Sequence, residues 1–320
     1  MWEVLKTSEH VARESRLVEI KEDALAGFSE KLLKQDLKVP AWNTRYHLTG
    51  SHEAMVSYLF VLDSMNFCFW PPAGKSKWEI EYGSKPISGY YALAASLRRA
   101  VESGVPITEA GYLADLSLDT LRHILDGRGT LQLLEQRLES LRALGEVLLR
   151  DYGGKAQAFV ESADKSALHL ARQLAGTLPS FRDVAQYGGE TVFFYKRAQI
   201  LAADLYGAFD GQGWGSFRDI DELTAFADYK VPQVLRHLGI LCYEPPLAHR
   251  VDQQIPIEPG SLEEVEIRAC TIWAVELIRQ ELEKMGKRLR AFEIDWILWD
   301  LGQDQDFKKK PFHRTVTIFY

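Results

Sequence analysis

Between residues 51 and 69 the apolar positions Met55, Tyr58, Leu59 and Leu62 recur at three- and four-residue spacing behind Ser51, which predicts an N-capped helix with a buried face. The same spacing returns over 89–101, 118–125, 131–149 and 155–174, with glycine-bearing turns such as Gly127-Arg128-Gly129 and Gly153-Gly154 between the segments. A further helix is expected over 190–209, with Phe194, Ala198, Leu201 and Leu205 on one face and Lys196, Arg197 and Asp204 beside or opposite it. It stops at Gly211-Gln212-Gly213-Trp214-Gly215. A short helix near 219–226 and one carrying Pro232 in its first turn and ending at Gly239 make a helix, hairpin, helix arrangement. Ser261 and Glu264 have capping-box spacing at the head of a helix that runs through Trp273 and Leu282 to Gly286.

Elsewhere the periodicity is weaker. Residues 1–50 are irregular, apart from a helix over 23–35 that ends before Lys38-Val39-Pro40. Two prolines close the aromatic run Asn66-Phe67-Cys68-Phe69-Trp70-Pro71-Pro72, and a loop follows to about residue 88. Residues 293–299 fit helix or strand, and 315–320 are strand-like. The expected fold is mainly α, a helical array with minor β and no internal repeat. We expect one compact unit over 1–320, with two helical lobes and a site between them as the variant form.

Composition narrows the function. Hydrophobic residues at 46% and charged residues at 26% belong to a folded chain with a packed core. A net charge of −7 and a pI near 5.7 disfavour broad attachment to nucleic acid or to an anionic membrane, both of which need a cationic surface. The three cysteines, Cys68, Cys242 and Cys270, form no CxxC pair, and the eight histidines show no metal-ligand spacing, so neither a metal nor a cofactor is expected. With no basic stretch leading into an apolar run at the N-terminus and no apolar segment of membrane-spanning length, a cytoplasmic monomer is expected.

Several residues could carry chemistry. Asp228 sits in a tight loop ahead of a proline-bearing helix, where backbone donors could hold an ionised carboxylate toward a ligand; an ordinary helix cap is the competing explanation. Lys196 and Arg197 interrupt the aromatic run Phe193-Phe194-Tyr195, so they either turn inward to a phosphate or buried acid or extend outward along a surface helix. Asp63 and Asn66 precede Phe67 and Trp70, a pairing of polar groups and flat rings that suits a purine-like base and equally suits an aromatic core plug. Asp295 before Trp296 offers the same choice. Cys68, set among aromatic residues, is expected to be a structural thiol.

Four segments together resemble the queuosine salvage protein family: Leu62-Asp63-Ser64-Met65-Asn66-Phe67-Cys68-Phe69-Trp70, Tyr195-Lys196-Arg197-Ala198-Gln199-Ile200-Leu201, Phe226-Ala227-Asp228-Tyr229-Lys230-Val231-Pro232-Gln233 and Glu293-Ile294-Asp295-Trp296-Ile297-Leu298-Trp299. The resemblance implies a helical fold related to the helix-hairpin-helix DNA glycosylases, acting on a free nucleotide, queuosine 5′-phosphate, and releasing queuine, a 7-deazaguanine base used in transfer RNA modification. It implies Asp228 as the carboxylate that stabilises an oxocarbenium-like ribose and directs water. Contacts to the base would come from Asn66, Asp63 and Asp295, with stacking by Phe67, Trp70 or Trp296. Tyr229 joins the substrate-binding set, and Lys196, Arg197 and Lys230 are the candidates for the 5′-phosphate, with an ion pair to Asp228 as the alternative role for one of them. Two rivals remain at this level: a nucleic-acid glycosylase or lyase using Lys196 or Lys230 as a Schiff-base amine, and a non-catalytic helical scaffold that binds a nucleotide.

Overall fold

The computed structural model describes residues 2–35 and 37–320; Met1 and Asp36 lie outside the described residues. The first 50 residues are more ordered than their pattern suggests: α1 (Glu3–Glu14), β1 (Val18–Ile20) and α2 (Glu22–Lys34) precede α3 (His52–Ser64). The β2 (Glu79–Tyr82) and β3 (Lys85–Ser88) hairpin leads into α4 (Tyr90–Glu102), α5 (Ala110–Ala114), α6 (Leu118–Ile124), α7 (Leu134–Asp151), α8 (Ala156–Ser162) and α9 (Ala167–Thr177). A second hairpin, β4 (Val184–Tyr187) with β5 (Glu190–Phe193), leads into α10 (Lys196–Ala208) and, after a long connection, α11 (Lys230–His237). The chain closes with β6 (Leu241–Tyr243), α12 (Pro245–Asp252), α13 (Leu262–Lys284) and α14 (Ala291–Leu301). The strands pair as three two-stranded antiparallel sheets, β1 with β6, β2 with β3 and β4 with β5. The fold is mainly α with minor β, and residues 293–299 belong to a helix.

Three expected helices are corrected. The segment 155–174 divides into α8 and α9, because Asp164 and Lys165 both take left-handed backbone angles (φ 50° and 53°) that no helix interior accommodates. Residues 190–193 form β5 rather than the start of a helix: Gly188 and Gly189 both have positive φ (57° and 87°), the two-residue turn that matches strand twist, and α10 starts only after Tyr195 (φ 47°). Near 219–226 there is a single 3-10 turn, Ile220–Glu222, and otherwise extended chain, so α10 and α11 are joined by a long loop in place of a hairpin. Residues 315–320 form no strand and bend at Ile318, so the strand expected there is not formed.

The capping signals are realised in part. Ser51 and Ser261 each accept from the amide three residues on, at 3.3 Å, at the heads of α3 and α13. Glu264 reaches back to the amide of Gly260 (3.1 Å), one residue before the position a capping box would use.

Two large apolar clusters organise the helices. One gathers α1 and α3 to α10; the other gathers α2, α11, α12 and much of α13 and α14. Helix α13 serves both, giving Val265, Ala269 and Ile272 to the first and Ile267, Cys270, Ala274, Val275 and Ile278 to the second. Its residues 264–272 are consequently buried on every side, charged ones included.

Close helix packing makes one glycine irreplaceable. A Cβ at Gly145 on α7 would lie 2.5 Å from the carbonyl of Ala110 and the amide of Ala114 on α5. Gly145→Ala is expected to destabilise the protein by about 1–3 kcal/mol in a urea titration, since backbone cannot yield as a side chain does. The modest gain that alanine gives in an exposed helix would show instead that α5 and α7 part freely.

Candidate active site

A cavity of about 970 Å³ opens where α3, α4, α10, the loop before α11, α14 and the C-terminal tail converge. Its wall near the exit of α3 is held by two arginines, Arg137 and Arg197, with no carboxylate in ion-pair contact among the described residues. Arg137 donates to the carbonyls of Met65, Phe67 and Cys68, and Arg197 donates to those of Asp63 (2.7 Å), Ser64 (2.8 Å) and Ser180. Their guanidinium carbons lie 4.2 and 4.9 Å from the centre of the Phe67 ring. This double clamp fixes the loop in which Cys68 adopts a positive φ of 44°, and it presents Asn66, Phe67, Phe69 and Trp70 to the cavity. Burial pushes the Cys68 thiol up to about 11, as befits a structural thiol.

Arg197 is therefore spent on carbonyls and does not reach the cavity, and Asp63 stands behind the wall, its Oδ1 accepting from Asn66 Nδ2 at 3.4 Å. The second Asp63 oxygen is buried without a hydrogen-bond partner among the described residues, and burial followed by the nearby Asp204 charge drives the Asp63 pKa well up.

Helix α10 runs along the cavity floor with Lys196, Ile200 and Asp204, one per turn, facing in. Lys196 begins the helix, its amide donating to Asp183 Oδ2 (3.1 Å), and its ammonium has no ion-pair partner among the described residues. Burial lowers its pKa, opposed first by the charge of Asp228.

Asp228 is both a cap and a cavity group. Its Oδ1 accepts from the amides of Lys230 (2.7 Å) and Val231 (2.8 Å) at the head of α11, leaving Oδ2 without a hydrogen-bond partner among the described residues. Burial raises its pKa, while Lys196 and the two amides pull it back down by favouring the ionised form. The preceding carbonyl, of Ala227, accepts from Arg268 (3.0 Å), which is itself paired with Asp183 (2.9 and 2.6 Å) and Glu264 (3.3 Å). A fully buried ionic network thus anchors the Asp228 loop to α13.

Opposite stands Asp295 on α14, its Oδ1 held by the amide of Phe226 (2.8 Å). Burial, reinforced by the Asp228 charge, raises its pKa well above the ordinary carboxylate value and so favours its protonated form. Trp296 lines the cavity beside it, packed edge-on against Phe292. Tyr229 and Lys230 complete the wall; Lys230 bonds Gln233 (2.9 Å) and lies 5.6 Å from the Phe312 ring centre.

Of the residues singled out from sequence, Asn66, Phe67, Trp70, Lys196, Asp228, Tyr229, Lys230, Asp295 and Trp296 meet at one cavity. Trp42, His47, Tyr90, Asp204, Trp299, Phe312, Arg314 and Tyr320 also line it and are not among the candidates that the sequence singles out. Asp204 had a signal: it stands eight residues after Lys196, and two polar positions at that spacing on a buried helix share a face. The described residues include no cluster of three or more His, Cys, Asp or Glu side chains suited to a metal ion, and no helix long and apolar enough to cross a membrane.

A mainly helical fold that gathers unpaired carboxylates, lysines and aromatic rings around one deep cavity defines a small-ligand site. The chain belongs to the queuosine salvage protein family, whose model matches residues 46–320. A relative from Sphaerobacter thermophilus, described as a queuosine 5′-phosphate N-glycosylase/hydrolase, is 49% identical over 317 residues, 99% of this chain and 97% of its own. Relatives of the same description from Bos taurus (38% identical, 98% of each chain) and Schizosaccharomyces pombe (34% identical, 96% of this chain and 93% of its own) are similar over nearly the whole length.

Proposed function

We propose that this protein hydrolyses the N-glycosidic bond of queuosine 5′-phosphate, releasing queuine, with Asp228 as the catalytic carboxylate. The observation that carries the reading is Asp228 itself: one oxygen is locked by two amides and the other is left open in a cavity walled by flat rings and cations. As the bond between C1′ and the base nitrogen breaks, its electron pair leaves with the base and positive charge grows on the ribose. A rigid carboxylate stabilises that charge and accepts the proton of the water that adds to C1′. Asp295, which burial pushes toward its protonated form, and the Asn66 amide supply donors for the departing base, with Asp63 acting through Asn66. Phe67, Trp70 and Trp296 supply stacking surfaces. Lys230 and Lys196 face the cavity as cations for the 5′-phosphate, while Arg197 shapes the wall.

The reading includes a monomer acting in the cytoplasm on a free nucleotide; the net charge of −7 supports a small substrate over a polyanion. The two apolar clusters that meet around α13 support two helical lobes with the site between them.

Incubation with queuosine 5′-phosphate followed by chromatography tests the activity: free queuine is expected, and its absence at high enzyme concentration rejects the reading. Lys196 has its own test. Because Lys196 favours ionised Asp228, Lys196→Met is expected to raise the Asp228 pKa and move the acid limb of the kcat/KM profile to higher pH. An unmoved limb with a raised KM would assign Lys196 to the phosphate alone.

A further inference from the structure

The first turn of α10 carries Lys196 but has no capping side chain of its own, because Tyr195 fills the N-cap position in a left-handed conformation and makes no cap bond. Asp183, from the loop before β4, supplies what is missing. Its carbonyl accepts from the amides of Phe194 (3.0 Å) and Tyr195 (3.1 Å), and its Oδ2 accepts from that of Lys196 (3.1 Å). Three successive amides thus converge on one residue, whose carboxylate stands at the positive end of the helix dipole.

The same carboxylate reaches the Asp228 loop. Both Asp183 oxygens accept from Arg268 (2.9 and 2.6 Å), whose Nε donates to the carbonyl of Ala227 (3.0 Å), the residue before Asp228. Lys196 and Asp228 belong to separate elements joined by a long loop, yet the backbone beside each is tied to Asp183, directly or through Arg268. Asp183 is 2% exposed and is not part of the cavity lining, so it stands behind the reacting groups.

Resting on the reading given under Proposed function, we propose that Asp183 is a positioning residue: it sets the distance between the Lys196 ammonium and the Asp228 carboxylate by holding the head of α10 directly and the Asp228 loop through Arg268.

The consequence for Asp228 has a sign that separates positioning from mere charge. Lys196 is the leading charge that favours ionised Asp228, so a loosened α10 head weakens that support and the Asp228 pKa rises. Removing the Asp183 charge through space does the reverse. It takes away a negative neighbour, leaves Arg268 less compensated and lowers the Asp228 pKa. The groups that face Asp183 are Arg268 and Glu264 from α13, Arg197 from α10 and Tyr195 just before it. Those that face Asp228 are Lys196 from α10, Tyr229 and Lys230 at the head of α11, and Asp295 from α14.

Asp183→Asn keeps the size of the side chain and one acceptor oxygen while giving up the charge and the two-oxygen hold on Arg268. The Asp228 carboxyl is followed through the acid range by NMR in protein isotope-labelled at the aspartate carboxyls, its resonance identified by its loss in Asp228→Asn. In Asp183→Asn this titration and the acid limb of kcat/KM for queuine release are expected to move together to higher pH by roughly one unit, with kcat at least about tenfold lower. In a Lys196→Met background the same change is expected to bring no further rise, since Lys196 is the group being placed. Should Asp183→Asn fail to fold, Arg268→Lys, which keeps the charge and loses the fork, is expected to give the same upward shift. An unmoved or downward titration in the folded variant, or a rise that persists in full in the Lys196→Met background, overturns the positioning role. The NMR titration needs no turnover: an upward shift in a protein that releases no queuine rejects the catalytic reading alone, and normal release with the shift absent rejects the positioning role alone.

Discussion

Asp228→Asn is expected to lower kcat for queuine release by about 10²–10⁴-fold while leaving the melting temperature nearly unchanged. The two halves of this result follow from the two oxygens of one side chain. Oδ1 caps α11 through the amides of Lys230 and Val231, and asparagine caps helices as well as aspartate does, so the fold is kept. The charge facing the cavity is removed, and an amide neither stabilises a cationic sugar nor takes a proton from water. Asp228→Ala loses the cap as well and is expected to cost about 1 kcal/mol of stability in addition. Near-normal turnover by Asp228→Asn, measured by chromatography of the released base, would take Asp228 out of the chemistry; a large fall in melting temperature would make its role structural.

The largest stability effect is expected at Arg268. Its guanidinium is fully buried, pairs with Asp183 and Glu264, and lies 3.9 Å from the Phe194 ring centre and 4.4 Å from that of Tyr320. Removing it leaves two carboxylates buried without a counter-charge. Arg268→Met should therefore cost about 3–5 kcal/mol in urea unfolding, with partial recovery when Asp183→Asn is added, because the second change removes one of the stranded charges. Arg268 also holds the carbonyl of Ala227, so any variant folded enough to assay should lose activity through a loosened Asp228 loop. A cost below about 1 kcal/mol would mean that water enters and solvates the acids.

How far the chain discloses itself depends on whether the deciding contacts are local. Helices α3, α7 and α13 were legible from apolar spacing, and Ser51 and Ser261 marked where two of them start, because caps and amphipathic faces are properties of neighbouring residues. The hairpins at Gly83-Ser84 and Gly188-Gly189 are equally local but harder to see: the apolar run 190–205 imitates a helix, and only the paired positive-φ turn reveals the strand. Arg137, Arg197 and Arg268 carry no local sign of burial. Their partners are carbonyls, rings and acids brought together by tertiary packing, and α13 hides its charged residues because it separates two cores. Asp228 invited two explanations, helix cap or ligand-facing acid. The cap is formed, and the geometry leaves one oxygen for the second role. The His47, Tyr90 and Asp204 chain could not be assembled from sequence, since its members lie 43 and 114 residues apart.

The most direct measurement is a crystal structure of Asp228→Asn holding intact queuosine 5′-phosphate. The side chain of residue 228 is expected within about 3–3.5 Å of the anomeric carbon or of the water poised to attack it, with the base toward Asp295. A sugar bound away from residue 228, with Asp295 or Asp204 against C1′ instead, would contradict the account.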